Sequence, residues 1–287
     1  MKRMLGVLML ALVSMTTPRH ADAQRSPAEI AILKEDATAQ LNLGLAYAKG
    51  EGVPQDFKEA LKFFRLAAAQ GVAGAQFSLG LMYSNGTGVA ENKAEAVKWY
   101  RLAAAQGYDR AQNNLGNAYR FGTGVPEDHA EAVKWYRLAA AQGVATAQFS
   151  LGLAYNVGEG VPEDRAEALK WYRLAANQGL ALAQRRLGLA YSTGRGIPED
   201  DAEAVKWYRL AAAQGDADAQ FSLGGAYRFG IGVPEDYVQA YKWWNLAAAA
   251  GDTSAVTYKN QVAEKMTKEQ IAEAQRLSTA FKPTTKP

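Results

Sequence analysis

The 287-residue sequence contains no cysteine. That absence excludes disulfides, thiolate zinc sites, iron–sulfur clusters, cysteine nucleophiles and a lipid anchor on an N-terminal cysteine. Histidine is nearly absent: His20 and His129 are the only two. A Ser-His-Asp hydrolase would have to rest on one of them. Charge of one sign is also scarce. The net charge is +3, and it falls to +1 when residues 1–23, with Lys2, Arg3 and Arg19 against Asp22, are set aside. Nucleic-acid binding calls for a clustered basic face, so no nucleic-acid partner is expected. No apolar run beyond the N-terminus is long enough to span a bilayer. The mature chain is therefore expected to make no stable membrane insertion.

What the N-terminus does have reads as an export signal. Lys2 and Arg3 open it, Met4 to Val13 is apolar, and Ala21-Asp22-Ala23 offers small residues for cleavage before Gln24. The expected location is the periplasm or the exterior.

The rest of the sequence repeats itself. Leu-Gly-x-x-Tyr occurs at Leu43 with Tyr47, Leu79 with Tyr83, and Leu115 with Tyr119. It returns at Leu151 with Tyr155, Leu187 with Tyr191, and Leu223 with Tyr227. A second block, Lys-Trp-Tyr-Arg-Leu-Ala-Ala, starts at Lys98, Lys134, Lys170 and Lys206 in the same register, with looser copies at Lys62 and Lys242. Such a period marks a stacked repeat architecture. The expected organisation is a signal at 1–23 and a capping helix within 24–38, started by Ser26 and Glu29. Six units follow at 39–74, 75–110, 111–146, 147–182, 183–218 and 219–254, and then a helical cap and tail at 255–287.

Each unit predicts two helices. In the fourth, Ala147, Leu151, Ala154 and Tyr155 share one helical face, and Gly158-Glu159-Gly160 stops the helix. Asp164 with Glu167 has the spacing of a capping box, in which each side chain satisfies a backbone N–H. Ala168, Trp171, Tyr172, Ala175 and Ala176 form the second apolar face, and Gly179 ends it. Bulky and small residues alternate so that close helices interlock. Thr267 with Gln270 predicts a last helix to about Thr279, and Lys282 to Pro287 reads as a frayed tail.

These blocks, with Gly-x-Gly-Val-Pro-Glu-Asp between them, resemble the Sel-1-like repeat, a relative of the tetratricopeptide repeats. The resemblance implies an all-α fold, a right-handed α/α superhelical solenoid. It further implies a non-catalytic scaffold for other proteins or peptides, with no cofactor and no metal. Exported bacterial members of that family serve envelope assembly, signalling or host contact. Some carry a cysteine pair in each repeat and have a β-lactamase or penicillin-binding activity ascribed to them. With no cysteine, that activity does not transfer. A cell-wall or β-lactam hydrolase and a secreted host-interacting factor stand as alternatives.

Other chemistry finds little support. Gly122-Thr123-Gly124 joins two predicted helices and lacks the strand and third glycine of a dinucleotide loop. Ser-x-x-Lys and Lys-Thr-Gly do not occur. Glu131, Glu167 and Glu203 recur beside caps, three residues before Lys134, Lys170 and Lys206, as weak surface pairs would. His129 reads as a solvated first-turn residue.

Shared positions serve packing, so function is sought where the repeats differ. In related solenoids the first helices line a concave groove. Asn113, Asn114, Asn117 and Arg120, with Arg185, Arg186 and Arg228, are the candidate partner contacts. Amides fix a peptide backbone, and guanidinium groups its carboxylates. Phe121 and Phe229 are candidate exposed anchors.

Overall fold

The computed structural model describes residues 35–284. The expected signal segment and the expected helix start at Ser26 and Glu29 lie outside the described residues. Among the described residues there are fourteen α-helices and no strand. First helices of the repeats are α1 (Ala37–Lys49), α3 (Ala73–Asn85), α5 (Asp109–Arg120), α7 (Ala145–Val157), α9 (Ala181–Thr193) and α11 (Ala217–Phe229). Second helices are α2 (Phe57–Ala69), α4 (Lys93–Ala105), α6 (His129–Ala141), α8 (Arg165–Asn177), α10 (Asp201–Ala213) and α12 (Tyr237–Ala249). The end is formed by α13 (Thr253–Ala263) and α14 (Lys268–Thr279). The architecture is an all-α repeat solenoid. The chain divides into two compact units that part after Ala139.

Leu-Gly-x-x-Tyr has a steric origin. In unit two the Tyr172 ring of α8 lies flat on α7 at Gly152, where a Cβ would come within 2.7 Å of the ring. Tyr208 does the same at Gly188 and Trp244 at Gly224; in unit one Tyr100 covers Gly80. The aromatic residue before each tyrosine works between repeats. Trp207 packs on the core around Tyr172 and Leu187, and Trp99 on that around Phe64 and Leu79. One hairpin cannot bury both aromatics by itself, so each repeat requires its neighbour.

The tyrosine of Leu-Gly-x-x-Tyr packs its ring against the core, as expected of an apolar face, and also uses its hydroxyl. Tyr83, Tyr119, Tyr191 and Tyr227 are half-buried. Their hydroxyls accept from arginines of the preceding second helix: Arg65, Arg101, Arg173 and Arg209, at 2.8, 2.9, 3.0 and 2.8 Å. A buried glutamine, one per repeat, adds a second tie. Gln184 donates to the Ala176 carbonyl of α8 at 3.2 Å and accepts from Gln214 beyond α10 at 2.8 Å. Gln76 joins α2 and α4 likewise through Ala68 and Gln106. Gln76 and Gln184 thus each bridge two successive second helices.

The capping box is only half formed. The side chains of Asp164 and Asp200 accept from the Glu167 and Glu203 amides at 2.9 Å, as expected. The returning half is missing because the Asp164 amide already donates to the Tyr155 carbonyl of α7 at 2.8 Å, and that of Asp200 to Tyr191. Glu167 and Glu203 turn instead to Lys170 and Lys206. The full reciprocal box appears at α14, between Thr267 and Gln270. The tail also departs from expectation. Phe281 packs edge-on against Trp243, and the Thr284 amide donates to the Ala213 carbonyl at 2.8 Å. The segment through Thr284 is therefore docked rather than frayed, because it caps an otherwise bare helix end.

Candidate functional site

A pocket of about 160 Å³ opens in unit one between the start of α4 and the face of α5 that carries Asn114 and Asn117. Its floor is the Tyr100 ring, held by Gly80. Burial pushes the Tyr100 hydroxyl above the usual phenol range, against the opposing pull of hydrogen bonds with Asn114 and Ser84. Asn114, Asn117 and Phe121 form one wall, and Lys93 stands opposite. The Lys93 ammonium donates to the Ser84 carbonyl and pairs with Glu91 at 3.4 Å. The Asn117 Oδ1 accepts from the Tyr136 hydroxyl at 2.7 Å.

The same pocket recurs in unit two with a volume of about 430 Å³. Tyr208 is its floor, raised in pKa by burial and bonded to the Ser192 hydroxyl at 3.1 Å. Ser222 takes the register of Asn114, Phe229 that of Phe121, Asp201 that of Lys93, and Gly225 that of Asn117. The other repeats carry Leu45, Leu81, Leu153 and Leu189 at this last position. Each of these two pockets thus lies where a leucine is replaced, and the glycine leaves the larger one. A Cβ on Gly225 would meet nothing within 4 Å. A third hollow, about 310 Å³, lies at Arg228, Phe229, Tyr258 and Lys265.

The structure gathers four of the expected contacts on α5. Asn114 and Asn117 line the pocket, Asn113 bonds Asn114 at 3.4 Å, and the Arg120 guanidinium lies over the Phe121 ring at 5.1 Å. Phe121 is 63% exposed, as its expected role requires. The arginines of unit two are placed differently. Arg185 lies 2.7 Å from Asp218 and 3.2 Å from Asp216, the latter too poorly aligned for a hydrogen bond. It ties α9 to the start of α11, so its charge is already matched. Arg186 stands half-buried at the register of Asn114 and Ser222. Arg228 pairs with Glu235 at 2.9 Å and lies over the Phe229 and Tyr237 rings. Neither Arg185 nor Arg186 lines the pockets above.

Sequence reasoning missed the pocket floors and the glutamine ties. The glutamine signal was present, since a polar residue recurs at an apolar face at Gln40, Gln76, Gln112, Gln148, Gln184 and Gln220. The remaining candidate groups are spent structurally. Lys134 holds Glu131 at 2.7 Å, and His129 pairs with Glu127 at 2.9 Å rather than standing solvated. Gly124 has a φ of 78° and packs on the Lys93 carbonyl, so the Gly-x-Gly is a turn against the preceding second helix. Among the described residues, no group of His, Asp or Glu could hold a metal ion, and no helix is long and apolar enough to cross a membrane.

The paired helices, their inter-repeat ties and the pockets between them define a helical-repeat protein of the α/α class. Its repeats match the Sel1 repeat at 37–72, 73–108, 109–144, 145–180, 181–216 and 217–252, and the chain belongs to that family. Two solved structures are similar to it. A protective antigen of uropathogenic Escherichia coli strains, with an SLR fold, is 41% identical with a TM-score of 0.78 over 85% of this chain. A Sel1 repeat protein of Oxalobacter formigenes is 37% identical with a TM-score of 0.72 over 79%. The matches span 53% and 66% of those two chains. No curated protein matches the chain. Sel1 repeat proteins are generally protein–protein interaction scaffolds, and the fold is typically non-catalytic.

Proposed function

We propose that this chain is a non-catalytic adaptor, exported to the bacterial envelope through residues 1–23, which binds other proteins on the inner faces of its first helices. The observation that carries this reading is the α5 cluster. There Asn113, Asn114, Asn117 and Arg120 adjoin a pocket whose floor is fixed and whose rim is the exposed Phe121. Amide groups beside an exposed aromatic ring suit an extended peptide, with the ring as its apolar anchor. Within unit two, Arg186, Arg228 and Phe229 supply groups of the same kind, and Arg185 ties α9 to the start of α11. The export reading rests on Lys2, Arg3, the apolar run and Ala21-Asp22-Ala23. The similar protective antigen of uropathogenic strains supports a host-facing variant of the same role.

The test is site-specific photocrosslinking in intact cells. A photoreactive residue at Phe121 is expected to capture a defined envelope or host protein, and one at the exposed Lys134 of α6 none. Asn114→Ala with Asn117→Ala should abolish the Phe121 product. Capture from Lys134 alone, or turnover of a chromogenic cephalosporin by the purified chain, would overturn the reading. N-terminal sequencing of the recovered protein should begin at Gln24.

A further inference from the structure

At the start of three second helices a glutamate pairs with a basic residue two positions on. Glu91 pairs with Lys93 at 3.4 Å, Glu127 with His129 at 2.9 Å, and Glu163 with Arg165 at 2.9 Å. Where the first repeat has Gln55 with Phe57 and the sixth Glu235 with Tyr237, the fifth instead carries two acids at these positions, Glu199 and Asp201. Both carboxylates line the 430 Å³ pocket of unit two, and among the described residues neither has a cation within salt-bridge distance. Arg185, whose charge reaches Tyr208, is itself held by Asp216 and Asp218. Beside Glu199 and Asp201 stands an apolar wall, with Phe229 61% and Ile231 45% exposed, while Ser192 and Ser222 add hydroxyls to the lining.

Two unmatched carboxylates beside an exposed apolar wall call for one kind of side chain. It has an aliphatic stem and a cationic head, as arginine and lysine do. A guanidinium satisfies paired carboxylate oxygens in fixed geometry better than an ammonium. We propose that this pocket receives an arginine side chain of a partner protein, its head on Glu199 and Asp201 and its stem along Phe229 and Ile231. The volume is within the range of about 300–1,000 Å³ that small-ligand sites occupy. The inference deepens the adaptor reading and rests on it for the existence of a partner. The unit-one pocket is the internal contrast: Lys93 occupies the register of Asp201 there, and Asn117 fills the space that Gly225 leaves open.

The test titrates the full chain with blocked seven-residue alanine–serine peptides that carry a central arginine, lysine, norleucine or glutamate, read by backbone amide shifts in NMR. The arginine peptide should give saturable shifts around Glu199, Asp201 and Phe229 and none around Lys93. The norleucine peptide should bind at least about tenfold more weakly, as expected when a charge-assisted pair is lost. Added salt should weaken the arginine peptide. Asp201→Arg rebuilds the opposite-charge pair with Glu199 and should close the site. Gly225→Leu should block it sterically while leaving both carboxylates in place, and melting curves of the two variants would establish that they fold. Equal affinity for arginine and norleucine, indifference to Glu199→Gln with Asp201→Asn, or no shift in this pocket would each overturn the proposal. None of these outcomes needs a physiological partner. A failed titration beside a retained Phe121 crosslink removes the arginine pocket alone, and a lost crosslink beside a successful titration removes the α5 contact alone.

Discussion

Within a helix, glycine and alanine differ by one methyl group, and this chain uses that difference with opposite signs. At Gly152 a Cβ would sit 2.7 Å from the Tyr172 ring, whose position is fixed by the surrounding core. Gly152→Ala should therefore cost about 1–3 kcal/mol, the usual range for overpacking. At Gly225 the Cβ enters open space. Gly225→Ala should stabilise by about 0.5–1 kcal/mol through the lower entropy of the unfolded chain. Urea denaturation of the two variants decides the matter, and a stabilised Gly152→Ala would show that Tyr172 shifts without penalty. The first glycine was legible in the sequence because it recurs beside leucine in every unit. The second was not, because one glycine in the place of a leucine reads as ordinary variation until the helix facing it is known. Asn114 and Asn117 were found because the repeats disagree there. Tyr100 and Tyr208 were read as core, and only the structure shows their hydroxyls in pocket floors.

Helix boundaries came from caps, and the caps give the next test. The Asp164 carboxylate accepts from the Glu167 amide, while Glu167 returns nothing to the Asp164 amide. Asp164→Ala should cost about 1 kcal/mol. Glu167→Ala should cost no more than about 0.5 kcal/mol, since it loses only an exposed pair with Lys170. At α14 both halves exist, so Thr267→Ala and Gln270→Ala should each be felt. Thermal melts of the four variants separate the two kinds of cap, and equal losses from Asp164→Ala and Glu167→Ala would contradict the half-box. Spacing alone could not separate them, because it does not show that the carbonyl of Tyr155 has already taken the amide. The docked tail was illegible for a similar reason. Phe281 and Thr284 find partners on Trp243 and Ala213, far away in sequence.

Across the whole molecule, stability is a sum of similar repeats and the ties between them, so groups that recur should titrate in concert. The Tyr100 and Tyr208 hydroxyls are raised in pKa chiefly by burial. A raised folded value favours the neutral phenol in the native state. That stability is complete below the unfolded value of about 10, and it is lost as pH climbs through the higher folded value. Lys134, Lys170 and Lys206, raised by the hydrogen bonds they donate to Glu131, Glu167 and Glu203, lose their contribution in the same direction. They are exposed, so their share is small. Lys242 acts oppositely, because burial lowers its pKa and deprotonation relieves a penalty. With the raised phenols of Tyr100 and Tyr208 set against the lowered Lys242, the melting temperature should hold steady through mildly alkaline pH and fall once pH exceeds about 10. Tyrosinate absorbance followed beside circular dichroism should show the Tyr100 and Tyr208 phenols ionising late, together with unfolding. Tyr100→Phe with Tyr208→Phe removes both groups and should flatten the alkaline limb while lowering stability near neutrality, where their hydrogen bonds to Ser84, Asn114, Ser192 and Ser222 are lost. An unchanged alkaline limb in that double variant would move the loss away from Tyr100 and Tyr208, to the lysines or to other buried tyrosines such as Tyr47, Tyr136 and Tyr172.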